Sequence, residues 1–267
     1  MTPGAVSGRL RLEAARRGAR TVLADVYRSA PFHPGPVHYR SGRAEVLLQD
    51  VSPGIFPGDR LEIDVAVKEG AALIVSGQGA TRVYPSPACI TSEVSTRLRV
   101  ERGGILWWLP GELIPFRDAI YSARTEVVLA EASRFALIEV VTPGRLSMGE
   151  RDAYRRLDLR LRIDVAGKPR LIERALLDPH EEPLSMVGRQ GSFACSGFLV
   201  AVGYSVPSMP DRCANGVWLG ADGDYDLVVA RGLAHAAAPL RETLLQLLQH
   251  MDNSSEKQPI NSAATSI

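Results

Sequence analysis

Cysteine is scarce: Cys89, Cys195 and Cys213 are the only three in 267 residues. Their odd number and wide spacing argue against a disulfide framework and favour a reducing compartment. Long apolar runs are missing as well. None approaches the roughly 20 residues that a membrane-spanning helix needs. Arg9, Arg11, Arg16 and Arg17 occupy the stretch where a leader peptide would need its apolar centre. A cytoplasmic protein without membrane contact is expected. An excess of one charge is also lacking, because 31 basic and 30 acidic residues leave a formal charge of +1. Bulk charge therefore gives no support to nucleic-acid binding, and weak self-repulsion makes partner-dependent solubility plausible.

The usual catalytic and metal-binding patterns are absent too. The five histidines show no zinc spacing. His33 and His38 lie in a proline-rich stretch that reads as a loop. His180 sits beside Glu181 and Glu182 in a solvated turn, and His235 and His250 flank a C-terminal helix. No Gly-x-Ser-x-Gly elbow occurs, and Cys195 and Cys213 read as small buried residues. The run GQGATR at 77–82 lacks the Gly-Lys-Ser/Thr ending of a phosphate loop, and Pro85 and Pro87 follow it. It reads as a glycine bend between strands.

What the chain does have is period-two alternation. Leu61, Ile63, Val65 and Val67 alternate with Arg60, Glu62, Asp64 and Lys68. Leu157, Leu159, Leu161, Ile163 and Val165 alternate with Arg156, Asp158, Arg160, Arg162 and Asp164, and Val94, Leu98 and Val100 repeat the theme. These are strands with one buried and one wet face. Apolar runs at 71–75, 136–141 and 198–202 read as strands covered on both faces. Pro-Gly, Glu-Gly and Gly-Gly turns punctuate them, and no internal repeat of fixed period appears. The expected fold is mainly β, a single domain over 1–251. A helix is expected over 233–251, where Leu233, Leu240, Leu244, Leu247, Leu248 and Met251 share one face. Residues 252–267 are polar and aperiodic and read as a disordered tail.

Chemistry, if present, rests on carboxylates. The segment LWWLPGELIPF at 106–116 sets Glu112 among tryptophans, prolines and large apolar side chains. A buried ionised carboxylate needs an offsetting partner. Glu139 interrupts the apolar run ALIEVV, Asp59 follows Pro57-Gly58, Glu150 ends the tight GRLSMGE stretch, and Glu173 precedes Arg174. Each either pairs with an arginine or lines a common interior path, and the sequence leaves both open. Spaced oxygen ligands would pass a divalent cation without trapping it. A carboxylate pair in a groove would instead suit a β-rich hydrolase working by acid and base.

Four motifs in order carry a family resemblance: PGDRLEIDV at 57–65, SGQGATRVY at 76–84, WWLPGELIPF at 107–116 and GRLSMGER at 144–151. Together they resemble the urease accessory protein family UreD, also called UreH, from about Gly8 to the C-terminal helix. Pro57, Arg82, Trp107 and Gly111 depart from the family's usual residues. The resemblance implies a β-helix-like stack of strands with two helices. It also implies a maturation factor without catalysis of its own. Such a factor acts with UreF and the GTPase UreG on apo-urease in a hetero-oligomer and holds no tight cofactor while nickel is in transit. On that reading Asp59, Glu112, Glu139, Glu150 and Glu173 are candidates for the nickel path, and Leu240, Leu244, Leu247 and Leu248 either cover the sheet or meet UreF.

Overall fold

The computed structural model describes residues 5–40, 42–186, 190–205, 212–214, 217–224 and 226–257. The chain begins with two antiparallel hairpins. One joins β1 (Ser7–Arg17) to β2 (Arg20–Arg28), and the other joins β3 (Phe32–Arg40) to β4 (Arg43–Asp50). His33 and His38 therefore lie on a strand, where the proline-rich sequence suggested a loop.

From β4 onward the chain coils between two sheets. It passes through β5 (Arg60–Val67) in the first sheet and β6 (Ala72–Gly77) in the second, then links through the short β7 (Thr81–Val83). The next coil is β8 (Ser92–Val100) and β9 (Ile105–Leu109), with β10 (Leu113–Pro115) paired to β7. The third is β11 (Ile120–Leu129) and β12 (Arg134–Val141), and β13 (Arg156–Val165) returns to the first sheet. Strands of successive coils pair in parallel, β5 with β8 and β11 with β13 in one sheet, β6 with β9 and β9 with β12 in the other. Antiparallel strands finish both sheets: β14 (Lys168–Leu177) on the first, then β15 (Cys195–Val202), β16 (Arg212–Ala214), β17 (Val217–Asp224) and β18 (Leu227–Ala234) on the second. The fold is mainly β, a β-helix-like stack with one C-terminal helix.

Two cores follow from the alternation. Leu61, Ile63, Val65 and Val67 face the second sheet across the inner core, while the first sheet's outer face is a lattice of charges. The second sheet is covered twice. On β12, Phe135 and Leu137 point into the inner core, whereas Ala136, Ile138 and Val140 point into an outer core under the helix. That helix, α1 (Ala237–Lys257), lays Leu240, Leu244, Leu247, Leu248 and Met251 on the sheet, all buried. Side chains at Gly197 and Gly232 would collide with Leu240, so these glycines set how closely the helix sits. The leucine stripe is core, and the docking use considered from sequence is corrected. None of the described helices is long and apolar enough to cross a membrane. Besides α1, the described residues hold only a short 3-10 turn at Leu146–Met148, in place of a second helix.

The helix also differs from its sequence expectation at both ends. Leu233 belongs to β18, and the helix runs on to Lys257, through residues expected to start the tail. The reason is Asp252, which is buried. Arg43 Nη2 donates to both its carboxylate oxygens (2.8 and 2.6 Å), and Arg134 lies 3.4 Å away. Arg43 in turn stacks 4.9 Å over Trp107, whose indole N–H donates to Tyr204 Oη at 2.8 Å. Residues 258–267 of the expected tail lie outside the described residues. Removing one partner of a buried ion pair strands the other. Asp252→Ala is therefore expected to lose about 3–5 kcal/mol in urea unfolding, whereas a residue in a free tail would change nothing.

Candidate functional site

The candidate site lies between the sheets and is built on β12. Glu139 follows Phe135 and Leu137 at the same alternation and so points into the inner core. Strand register extends its row: Glu139 pairs with Phe198 on β15, and Phe198 with Arg231 on β18. On the first sheet, one row runs Thr96, Thr125, Leu161 and Glu173 across β8, β11, β13 and β14. Polar groups from both sheets thus interrupt an otherwise apolar interior.

Space remains there. A cavity of about 310 Å³ has Thr96, Tyr121 and Trp108 in its walls and Asp50 and Arg82 towards one end. A second, of about 400 Å³, is lined by Phe198, Glu173, Arg231 and Trp218 among others. Both border Ala123, Thr125 and Glu139, and a smaller void of about 80 Å³ also borders Glu139. Among the described residues Glu139 makes no hydrogen bond or ion pair.

The remaining sequence candidates are placed differently. Glu173 lines the second cavity but is held by Arg231 at 2.7 Å. Asp59 is buried with both oxygens engaged, accepting from the backbone N–H of Val6 (2.7 Å) and Phe56 (2.8 Å), so it pins the N-terminal strand to a turn. Glu150 is buried against Arg145, which donates at 2.8 and 2.6 Å, and the pairing holds its carboxyl below the usual range. Glu112, the leading candidate from sequence, lies outside all three cavities. Its carboxylate is 3.7 Å from Arg241 of α1, and Arg241 also donates to the Pro110 carbonyl at 2.6 Å. Glu112 helps seat the helix. The adjoining Gly111 is pressed against the 77–79 bend, where a Cβ would lie 1.8 Å from the Gly79 carbonyl oxygen.

Thr96, Thr125, Asp50 and Arg231 were missed from sequence. The two threonines carried a signal, since each is a polar residue at an inward position of an alternating strand. Asp50 and Arg231 carried none, because only the packing of distant strands brings them to a cavity. Among the described residues no three His, Cys, Asp or Glu side chains gather into a metal cage.

The sequence profile of the UreD urease accessory protein family matches residues 6–263. The chain belongs to that family. A urease accessory protein UreD from Brucella suis is 37% identical over 128 residues, covering 48% of this chain and 46% of its own. Others come from Sorangium cellulosum, 30% identical over 188 residues (70% of this chain, 59% of that one), and Kocuria rhizophila, 31% over 227 residues (82% and 58%). The match spans about half the length of these UreD relatives.

For a UreD protein the departure at Trp107 has a structural answer. Trp107 lies in the outer core, on the face opposite Glu139, and carries Arg43 on its ring. The inner cavities lose no polar group through it.

Burial alone pushes the Glu139 carboxyl up from 4.5 to about 7. The neighbouring Tyr121 hydroxyl is also raised, by burial first and by the charge of Glu139 second. The folded protein therefore holds a proton at Glu139 that the unfolded chain releases near pH 4.5. Stability from this group is complete below that pH, declines as pH rises to about 7, and is gone above it. The loss is at most about 3 kcal/mol, less where cavity water screens the charge. Glu139→Gln should thus raise the melting temperature relative to the parent chain at pH 8 and leave it nearly unchanged at pH 4.5.

Proposed function

We propose that this chain is a non-catalytic scaffold of urease maturation that passes nickel between its two sheets, with Glu139 as the midway ligand. It works in the cytoplasm with UreF and UreG, and apo-urease receives the ion. The carrying observation is that Glu139, the carboxylate shared by both large cavities, has no hydrogen bond or ion pair among the described residues.

The physics suits a conduit better than a store. A hard or borderline divalent ion accepts carboxylate and hydroxyl oxygens, and here Glu139, Thr96 and Thr125 offer a few of them at spaced points. A full cage would hold the ion too firmly to release it. An ionised carboxylate alone in an apolar interior is unfavourable, and neutralisation removes that penalty when no ion is present. A titration point near 7 lets a proton fill this role between ions, and an arriving cation displaces it. Nucleotide hydrolysis falls to a partner, in keeping with the glycine bend at 77–82.

Glu139→Gln keeps the shape and removes the charge. Co-expressed with urease and the other accessory proteins at limiting nickel, it should lower urease activation at least about tenfold, with partial recovery at excess nickel. Glu112→Gln should match the parent chain in the same assay. Equal activation by Glu139→Gln and the parent at limiting nickel would refute the passage.

A further inference from the structure

The outlet of the second cavity carries a feature that a plain conduit does not need. Arg231 and Glu173 come from opposite sheets, β18 and β14, and meet across the cavity mouth in one hydrogen bond of 2.7 Å. Arg231 also lies 5.4 Å over the Phe198 ring, and the ring pairs in register with Glu139. An acid, an aromatic ring and a guanidinium therefore follow one another across three adjacent strands. Two strand spacings put Arg231 roughly 10 Å from Glu139 in the sheet.

The pairs of the buried acids Glu150 and Asp158 are tied more firmly, whereas exposed pairs such as Arg11–Asp25 and Arg170–Asp226 also rest on one bond. Glu150 takes two bonds from Arg145 and a backbone N–H from Arg117. Asp158 is gripped by Arg160 and Arg174 together. The Arg231–Glu173 pair has a single bond, and the Arg231 side chain is 55% exposed. Exposed pairs of this kind contribute little, equivalent to no more than about a fivefold effect on an equilibrium. A doubly charged ion competes well against so weak a partner. On release, the flat guanidinium keeps its seat on the Phe198 ring, since arginine stacks on aromatic faces.

We propose that Arg231 is a removable gate: it occupies Glu173 when the passage is empty and yields that carboxylate to a divalent cation arriving past Glu139. The gate rests on the nickel-passage reading above and names the residue that controls its outlet. It keeps the outer carboxylate from collecting cations from solvent and leaves it available to an ion driven from within.

The test compares single variants of the full chain, purified with whatever partner keeps it soluble, by Ni²⁺ titration against a competing chelator. The gate predicts opposite signs. Arg231→Gln frees Glu173, so apparent Ni²⁺ affinity should rise roughly two- to fivefold. Glu173→Gln leaves an unopposed cation at the mouth, so affinity should fall. The exchanged pair Arg231→Glu with Glu173→Arg should restore the parent value. A merely structural ion pair would move both single variants the same way, and that result would overturn the gate, as would no change in Arg231→Gln. Thermal melting confirms that each variant is folded, and Arg231→Lys, which keeps the charge, should behave as the parent if Arg231→Gln fails to fold. The two readings fail separately. Normal activation by Glu139→Gln at limiting nickel removes the passage, whereas impaired activation there together with parent-like Arg231→Gln removes only the gate.

Discussion

Facing β-sheets stand about 10 Å apart, a distance that two layers of large side chains fill. Most of this interior obeys that rule, as Val65, Leu98, Leu106, Phe135 and Leu137 show. Around Glu139 it does not, because the first sheet presents Ala123, Thr125 and Ala175, which are too short to reach across. The parallel coiling makes this local shortfall extend across strands. Each parallel coil repeats the register of the last, so Thr96 and Thr125 fall side by side on β8 and β11, and both large cavities meet at Thr125. The proposed passage depends on these short side chains.

The same coiling explains why the sequence shows strands clearly and the stack dimly. Alternation is a local property, and β5 and β13 appear in it with nearly their observed bounds. The stacking is not periodic in sequence, because Arg60 pairs with Glu93, Glu93 with Ser122, and Ile120 with Arg156, at unequal separations. What repeats is the corner after each first-sheet strand, where Gly70, Gly103 and Ala132 take positive φ. An alanine in that company hides the pattern, since glycine is the residue one searches for. The end of the helix was illegible for another reason. Asp252 is helical and buried through Arg43, a residue 209 positions away, and polar composition alone resembles a tail.

The candidate acids show how far composition can lead. Glu112 stands out in sequence because its neighbours are large and apolar, but those neighbours divide between two cores and the turn carrying Glu112 faces Arg241. Burial of neighbours does not imply burial of the residue. Glu139 was the better candidate for a reason the sequence did contain: alternation on a doubly covered strand assigns it to the inner side, with Phe135 and Leu137. What the sequence withheld was whether an arginine answers it. Asp59, Glu150 and Glu173 are answered, the first by backbone amides and the others by guanidinium groups. Each of those contacts depends on a neighbour whose position only the folded chain fixes.

An isolated acid and a set of satisfied ones suggest a division of labour within one residue type. Paired carboxylates of the Glu150 kind are stable in their ionised form, because hydrogen bonds to the charge hold the proton off. They are poor stations for a moving ion, since the ion would have to displace an arginine held by several bonds. Glu139 is the reverse case: its charge is unfavourable when nothing is bound, and any cation that arrives relieves this. The intermediate case, Glu173, has a partner weak enough to exchange. Ordered from the interior outward, the carboxylates pass from unpartnered to lightly held, and under the proposed nickel transfer this order would give an ion a graded series of ligands and no deep trap.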